Sequence, residues 1–268
     1  MSPRESYDEY AAIRAVNWGT LKELAKSPKH YRHRLATPRT DNPAMAFGRA
    51  VHSAVLEPDR FPVEFTVYTN GDRRGNEWKE FAAANADKTI LKTAEYEKAL
   101  AVRDAVRGHK RARQLLRRGK AEQSIVWIDP QTRIRCKARL DFVGPLGMFD
   151  LKTTGDIDQR IFGGVVARMN YVGQLAFYSN GLRALGIDRP VYIIAVEAEA
   201  PHDVAVFPVD EDTLDMGRDQ VYELLHLLAG CRKRRSWPGQ CPREAPLWLP
   251  SWAYPIPSDE IEIEVLSS

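Results

Sequence analysis

Apolar positions along the chain follow two alternating periods, one near 3.6 residues and one of two. Helical spacing dominates the first 120 residues. Asn17 is placed to cap a helix running through Leu24, residues 48–56 form another, and 94–118 carry a longer helical pattern. From 122 to 152 the period drops to two, with turn chemistry at DPQT (129–132) and GPLG (144–147), which predicts a three-stranded antiparallel meander. Helical spacing returns over 160–185. The apolar run 191–197 reads as a buried strand, 202–209 as another strand, and 213–231 as a helix. The last 30 residues, rich in Pro and Trp, read as irregular coil laid over the body. With no repeat and no low-complexity tract, the pattern predicts an α/β protein.

Composition narrows this picture. A chain of 268 residues with 44% hydrophobic, 28% charged and six Trp residues lies far from the disordered regime. One domain spanning 1–268 is expected, with a lead-in at 1–15, a body at 16–253 and an acidic tail at 254–268. Cys136, Cys231 and Cys241 form no CxxC pair, which argues against a disulfide scaffold or a Cys-rich zinc module and favours a reducing cytoplasm. No signal-peptide core opens the chain and no apolar run approaches bilayer length, so a soluble protein with no membrane partner is expected. Thirty-nine Lys and Arg against 36 Asp and Glu give a net charge of +3, which neither demands nor excludes nucleic acid.

The meander carries the candidate chemistry. In RIRCKARLDFV (133–143), Ile134, Cys136, Ala138 and Leu140 alternate with Arg133, Arg135, Lys137, Arg139 and Asp141, giving one core face and one face for solvent or a site. In MFDLKTT (148–154), Asp150 and Lys152 share a face and Leu151 points away. A four-residue GPLG loop sets Val143 opposite Met148 and Asp141 opposite Asp150, with Cβ atoms roughly 4.5–5.5 Å apart. Opposed carboxylates need a compensating charge, and a hard divalent cation such as Mg²⁺ or Mn²⁺ suits oxygen ligands. The bland alternative is a solvated hairpin with scattered charges.

Asp141 with Asp150-Leu151-Lys152 resembles the PD-(D/E)xK nuclease signature, with Leu140 in place of its Pro. GRAVH (48–52) resembles the GxxxH motif of the RecB-like branch, and QLAFY (174–178) its QxxxY motif, in the family's order. WGTLKELAKSPKHYRHRL (18–35), GRAVHSAVLEPDRF (48–61), CKARLDFVG (136–144), FDLKTT (149–154), GQLAFYSNGL (173–182), AVEAEAPHDVAVF (195–207) and LPSWA (249–253) extend the resemblance to RecE-type exonucleases, the exodeoxyribonuclease VIII family of phage and prophage recombination systems.

This resemblance implies a restriction-endonuclease-like core, a central mixed sheet with an antiparallel meander flanked by helices. It implies Mg²⁺-dependent 5′-to-3′ digestion of linear duplex ends, leaving 3′ single strands for recombination by strand annealing. Asp141 and Asp150 would hold one or two Mg²⁺ ions, with Mn²⁺ able to substitute, and Lys152 would orient or deprotonate the attacking water. His52 would be a ligand to the second metal, with Gly48 letting its helix approach the sheet, and Leu151 would offer its backbone carbonyl. Gln174 and Tyr178, four apart on one helical face, would contact phosphate or steady Lys152. Glu122 is either a further carboxylate of the site or an ordinary strand-end charge. The resemblance also implies a toroidal homotetramer, a RecT-type single-strand annealing partner and, for a phage-encoded chain, the bacterial host cytoplasm.

Basic segments complete the reading. On the predicted helix, Arg103, Arg107, Lys110, Arg111, Arg113, Arg117 and Arg118 fall on one side, opposite Val102, Ala105, Ala112, Leu115 and Leu116. That face, with Arg139, Gln174 and Tyr178, is the candidate track for double-stranded DNA; residues 22–39 and 232–235 are further basic candidates. A solvated helix face or a subunit contact is the alternative for each Arg. No base-reading motif is evident, so contacts to the backbone alone are expected. The acidic run 259–264 reads as a solubilising tail, or less readily as a contact with a neighbouring subunit. The cysteines lack the count and spacing of an iron–sulfur variant. A site-specific endonuclease on the same fold and a nuclease-dead DNA-end binder remain the competing functions.

Overall fold

A computed structural model describes residues 7–37, 43–241 and 243–254. In chain order its helices are α1 (Tyr7–Ala12), α2 (Trp18–Leu21), α3 (Pro28–Ala36), α4 (Pro43–Leu56), α5 (Phe61–Glu64), α6 (Gly75–Ala84), α7 (Thr93–Gly108), α8 (Lys110–Leu115), α9 (Gln159–Met169), α10 (Tyr171–Ala184) and α11 (Glu211–Arg234). Its strands are β1 (Phe65–Val67), β2 (Thr89–Leu91), β3 (Lys120–Ile128), β4 (Arg135–Gly144), β5 (Gly147–Thr154), β6 (Val191–Glu197) and β7 (Val204–Val209). Strands β3 to β7 form one mixed sheet in sequence order, antiparallel except for the parallel β5–β6 pair. The predicted meander is therefore present, and the expected mixed α/β class holds. No described helix is long and apolar enough to cross a membrane.

Two apolar layers sandwich the sheet. On one face Cys136, Ala138, Leu140, Met148 and Ile193 pack with Leu175 and Phe177 of α10, Val221 and Leu228 of α11, and Trp18 and Leu21. On the other, Phe149, Leu151, Ile194 and Val196 pack with Val51 and Val55 of α4, Val102 and Val106 of α7, and Leu115 of α8. A Cβ on Gly181 would lie 2.7 Å from Ile125 and 2.8 Å from Trp127, so the bare α-carbon is what lets α10 settle onto β3. Gly48 does not do this for α4: a Cβ there would meet nothing within 4 Å, contrary to its expected role.

Several expected elements are subdivided. The 94–118 pattern breaks at His109, whose backbone is extended and whose Nδ1 accepts the Ala112 N–H, so the basic residues do not share one continuous helical face. The 160–185 pattern breaks at Asn170, in the left-handed region, whose side chain caps α10 through the Gly173 N–H. Asn17 caps only Trp18–Leu21, followed by a 3-10 turn over Lys22–Ala25. The β1–β2 pair has too few residues to show a period.

Lys137 departs most from expectation. Placed by alternation on an open polar face, it is 4% exposed. Its ammonium donates to the carbonyls of Tyr10, Ala11 and Ile13 at 2.7, 3.1 and 2.9 Å and lies 4.5 Å from the Tyr10 ring. The N-terminal segment covers that face and bridges to β4 at Val16↔Cys136. At the other end, Trp237 stacks on Tyr31 at 5.7 Å, but Trp248 and Trp252 are 78% and 84% exposed, so this coil does not lie over the body throughout. The acidic run 259–264 falls outside the described residues.

Candidate active site

The site forms where the sheet is interrupted. Val143 pairs with Met148 as expected, and Gly144 pairs with Gly147, so the loop is shortened to Pro145-Leu146. The β4–β5 ladder then ends at Phe142↔Phe149, one pair short of the predicted Asp141–Asp150 opposition. Instead, the Asp141 carboxylate enters the gap and accepts the Leu151 N–H at 2.7 Å. The β3–β4 ladder skips the same level: Ala121 pairs with Phe142 and Gln123 with Leu140, while Glu122 sits between them at φ +49°. Leu140 packs on one face of the sheet and Phe142, two residues on, packs on the other, so β4 rotates at Asp141.

Into this break α4 brings His52. Its Nε2 lies 2.9 Å from the Leu151 carbonyl oxygen, and its Nδ1 lies 3.6 Å from Asp141 Oδ2 and 3.9 Å from Glu122 Oε1. When Nε2–H donates to that carbonyl, the Nδ1 lone pair faces two carboxylates. A cation among them turns mutual repulsion into attraction. Ligand atoms of His52, Glu122 and Asp141 all lie within 4.8 Å of one another, a nitrogen-and-oxygen donor set that fits a divalent metal. Arg139 Nε donates to Glu122 Oε2 at 2.7 Å and so fixes the direction of that carboxylate.

Asp150 and Lys152 stand beside this trio. Asp150, 2% exposed, pairs with the Lys152 ammonium and accepts from Gln174 Nε2 at 3.0 Å; the same amide nitrogen donates to the Tyr178 hydroxyl at 3.0 Å. Lys152 Nζ lies 4.4 Å from the centre of the Tyr171 ring. Tyr171 opens α10 immediately after the Asn170 break, and sequence reasoning missed it because neither spacing nor motif marks it.

Burial, then repulsion from Asp150, pushes the Asp141 carboxyl up to about 7, against the pull of His52 and Lys152. Burial alone would lower Lys152, but Asp150 and Asp141 outweigh it and hold the lysine above its ordinary value. Lys152 is thus a fixed cation, suited to holding a water or a phosphate oxygen. Tyr178 is raised well above its ordinary value by burial and by both aspartates, so it remains a neutral phenol.

The structure thus gathers His52, Glu122, Asp141, Asp150, Leu151, Lys152, Gln174 and Tyr178. The basic residues divide. Arg107 donates twice to the Val55 carbonyl at the end of α4, at 3.0 and 2.7 Å, and Arg111 bonds the Tyr192 hydroxyl at 3.0 Å and lies over its ring. Arg103 pairs with Asp104. Arg139 is turned into the site by Glu122. Lys110, Arg113, Arg117, Arg118 and Lys120 remain exposed.

Residues 18–245 match the model of a family described as "PDDEXK-like domain of unknown function (DUF3799)". No curated protein matches the chain. Among solved structures, it is similar to the crystal structure of a "Putative exonuclease" from Eubacterium rectale, at 15% identity over 99% of each chain and a TM-score of 0.63, a likeness of fold. A phage related exonuclease from Haemophilus somnus 129PT matches at 14% identity, over 83% of this chain and 96% of that one, with a TM-score of 0.35.

Proposed function

The chain belongs to the PDDEXK-like family DUF3799, and we propose that it is a Mg²⁺-dependent DNA nuclease that resects linear duplex ends 5′ to 3′, leaving 3′ overhangs for strand annealing. The observation that carries the reading is the gathering of His52, Glu122 and Asp141 around one point, beside the Asp150–Lys152 pair. Polarity, a RecT-type annealing partner and a role in recombination are supported by the resemblance to RecE-type exonucleases.

His52, Glu122 and Asp141 would hold the ion, with Asp150 and the Leu151 carbonyl beside them. Bound there, Mg²⁺, or Mn²⁺ in its place, supplies Lewis acidity toward a phosphodiester oxygen and a more acidic water. The protein's share is positional. Arg139 aims Glu122, the Leu151 N–H aims Asp141, and Gln174 ties Asp150 to Tyr178. Lys152, held by Asp150 and Tyr171, would present a positive charge to the scissile phosphate and its incoming water.

Linear duplex, closed circular duplex and single strands are incubated with Mg²⁺ or with EDTA, alongside Lys152→Ala. The expected result is Mg²⁺-dependent loss of linear duplex from its 5′ ends and intact circles. Lys152→Ala should lower the rate by about 10²-fold or more, in the range seen when a group stabilising transition-state charge is removed. Cut circles would make the chain an endonuclease, binding without hydrolysis would make it an end-binding protein, and undiminished activity in Lys152→Ala would refute the assigned site.

A further inference from the structure

A strand that leaves its ladder must find new partners for its backbone N–H and C=O groups. Strands β4 and β5 part company beyond Phe142↔Phe149. On β5, the Leu151 N–H goes to the Asp141 carboxylate and the Leu151 carbonyl faces His52 Nε2, so both groups are taken up by the candidate metal site. On β4, one edge is held by β3, and the other is met by the N-terminal segment. Carried on from Val143↔Met148, regular pairing would set Lys137 opposite Thr154. Instead the Lys137 N–H donates to the Val16 carbonyl at 2.7 Å, and the Val16 N–H donates to the Arg135 carbonyl at 3.0 Å. Val16, buried, thus stands on the edge of β4 that β5 has left.

This segment is fastened on both sides of the gap. Ahead of Val16, the Lys137 ammonium reaches the carbonyls of Tyr10, Ala11 and Ile13. A buried ammonium needs matched acceptors and the carbonyls that end a helix need donors, so each holds the other. After Val16, the buried Trp18 packs against Phe177 of α10 with ring centres 6.1 Å apart, and a Cβ on Gly173 would come within 2.4 Å of the same indole. Gly173 directly precedes Gln174, which bonds Asp150. The segment therefore runs from β4, the strand of Asp141, to α10, the helix that bonds Asp150 of β5. Tyr178 on α10 reports the same proximity: burial and both aspartates raise it first, and Tyr10 adds to the rise.

We propose that residues 10–18 are a spacer that holds β4 away from β5 and so keeps His52, Glu122 and Asp141 at metal-binding separation, with Lys137 as the positioning residue that latches the spacer. Lys137 lies four residues from Asp141, about 13 Å along an extended strand, so it acts through the segment and not on the ion. With the spacer loosened, the free edge of β4 loses its partner, and the Asp141 carboxylate loses the fixed offset from which it meets the Leu151 N–H. The proposal rests on the metal-site reading for its consequence and not on the choice of substrate.

Two variants loosen the spacer at different points: Lys137→Met removes the latch, and Val16→Pro removes the N–H that pairs with Arg135. Leu91→Ala, at a buried position in the separate β1–β2 pair, is the control for lost stability alone. Each protein is used below its melting transition, without DNA, and either spacer variant that folds decides the question. Mn²⁺ binding is followed by electron paramagnetic resonance, and exchange of the Leu151 amide by NMR in metal-free protein. Spacer variants should bind Mn²⁺ about 10–100-fold more weakly than wild type, the range seen when a group that orients a ligand is lost. Their Leu151 amide should lose at least tenfold more protection than in Leu91→Ala, which should bind Mn²⁺ as wild type does. A folded spacer variant with wild-type Mn²⁺ affinity and Leu151 exchange no faster than the control would overturn the proposal and leave Lys137 a purely structural residue. So would an equal loss of Mn²⁺ affinity in Leu91→Ala. A wild type that binds no Mn²⁺ would refute the metal site itself, and Leu151 exchange would still decide for or against the spacer.

Discussion

Replacing Asp141 by Asn isolates the buried carboxyl that the site raises most clearly. In metal-free protein this group titrates at about 7 against an ordinary 3.8. Between those values the folded chain holds a proton that the unfolded chain has released. A native state that binds the extra proton loses stability as pH rises. The contribution is therefore complete below about pH 4 and gone above about pH 7. Roughly 3 pH units at ~1.36 kcal/mol each correspond to about 4 kcal/mol. Asn is nearly isosteric and can still accept the Leu151 N–H, so Asp141→Asn removes the titration with little change in packing. Urea unfolding in EDTA from about pH 4.5 to 7.5 gives the stability of each protein. The wild-type-minus-variant difference should fall by about 3–4 kcal/mol over that range. Millimolar Mg²⁺ at the upper end should restore wild type and leave the variant almost unchanged, because the ion replaces the proton between His52, Glu122 and Asp141. A difference that stays constant, or rises with pH, would refute the buried-carboxyl reasoning.

Tyr171→Leu should lower kcat by about tenfold and Tyr171→Phe should not, since a cation over an aromatic face contributes ~0.5–2 kcal/mol; equal loss in both variants would remove the ring from the assignment. Lys137→Met leaves three carbonyls at the end of α1 without their donor and should cost about 3 kcal/mol, read as a Tm lower by roughly 5–10 °C. Arg107→Met should destabilise the protein by about 2 kcal/mol and leave the salt dependence of DNA binding unchanged, because its guanidinium is committed to Val55. Arg117→Ala, at an exposed position, should do the opposite, reducing the slope of log affinity against log salt by about 1.

What sequence reasoning reached, and what it missed, follows from the range of the interactions involved. Strands β3 to β7 were legible because alternation and apolar runs report burial directly, and the Val143↔Met148 register followed from the loop. Breaks at His109 and Asn170 were not, because one residue's backbone rotation leaves the surrounding helical period intact. Lys137 and Arg107 were misplaced for a different reason. Each is polar on an expected open face, but distant chain supplies its acceptors: the end of α1 for Lys137, the end of α4 for Arg107. The Asp141–Asp150 register failed for a third reason, and that failure locates the chemistry. Regular pairing would have given the Leu151 N–H to a β4 carbonyl and set the carboxylates on an ordinary pleat. Here the Asp141 side chain takes that N–H, Glu122 adopts a left-handed conformation of a kind that costs about 1–3 kcal/mol, and the charge-assisted Arg139–Glu122 bond offsets part of it. The interruption spans two ladders at one level, so it brings carboxylates from β3 and β4 to the same imidazole, which unbroken strand geometry would not do. A motif can specify which residues take part; the break in the sheet is what makes them converge.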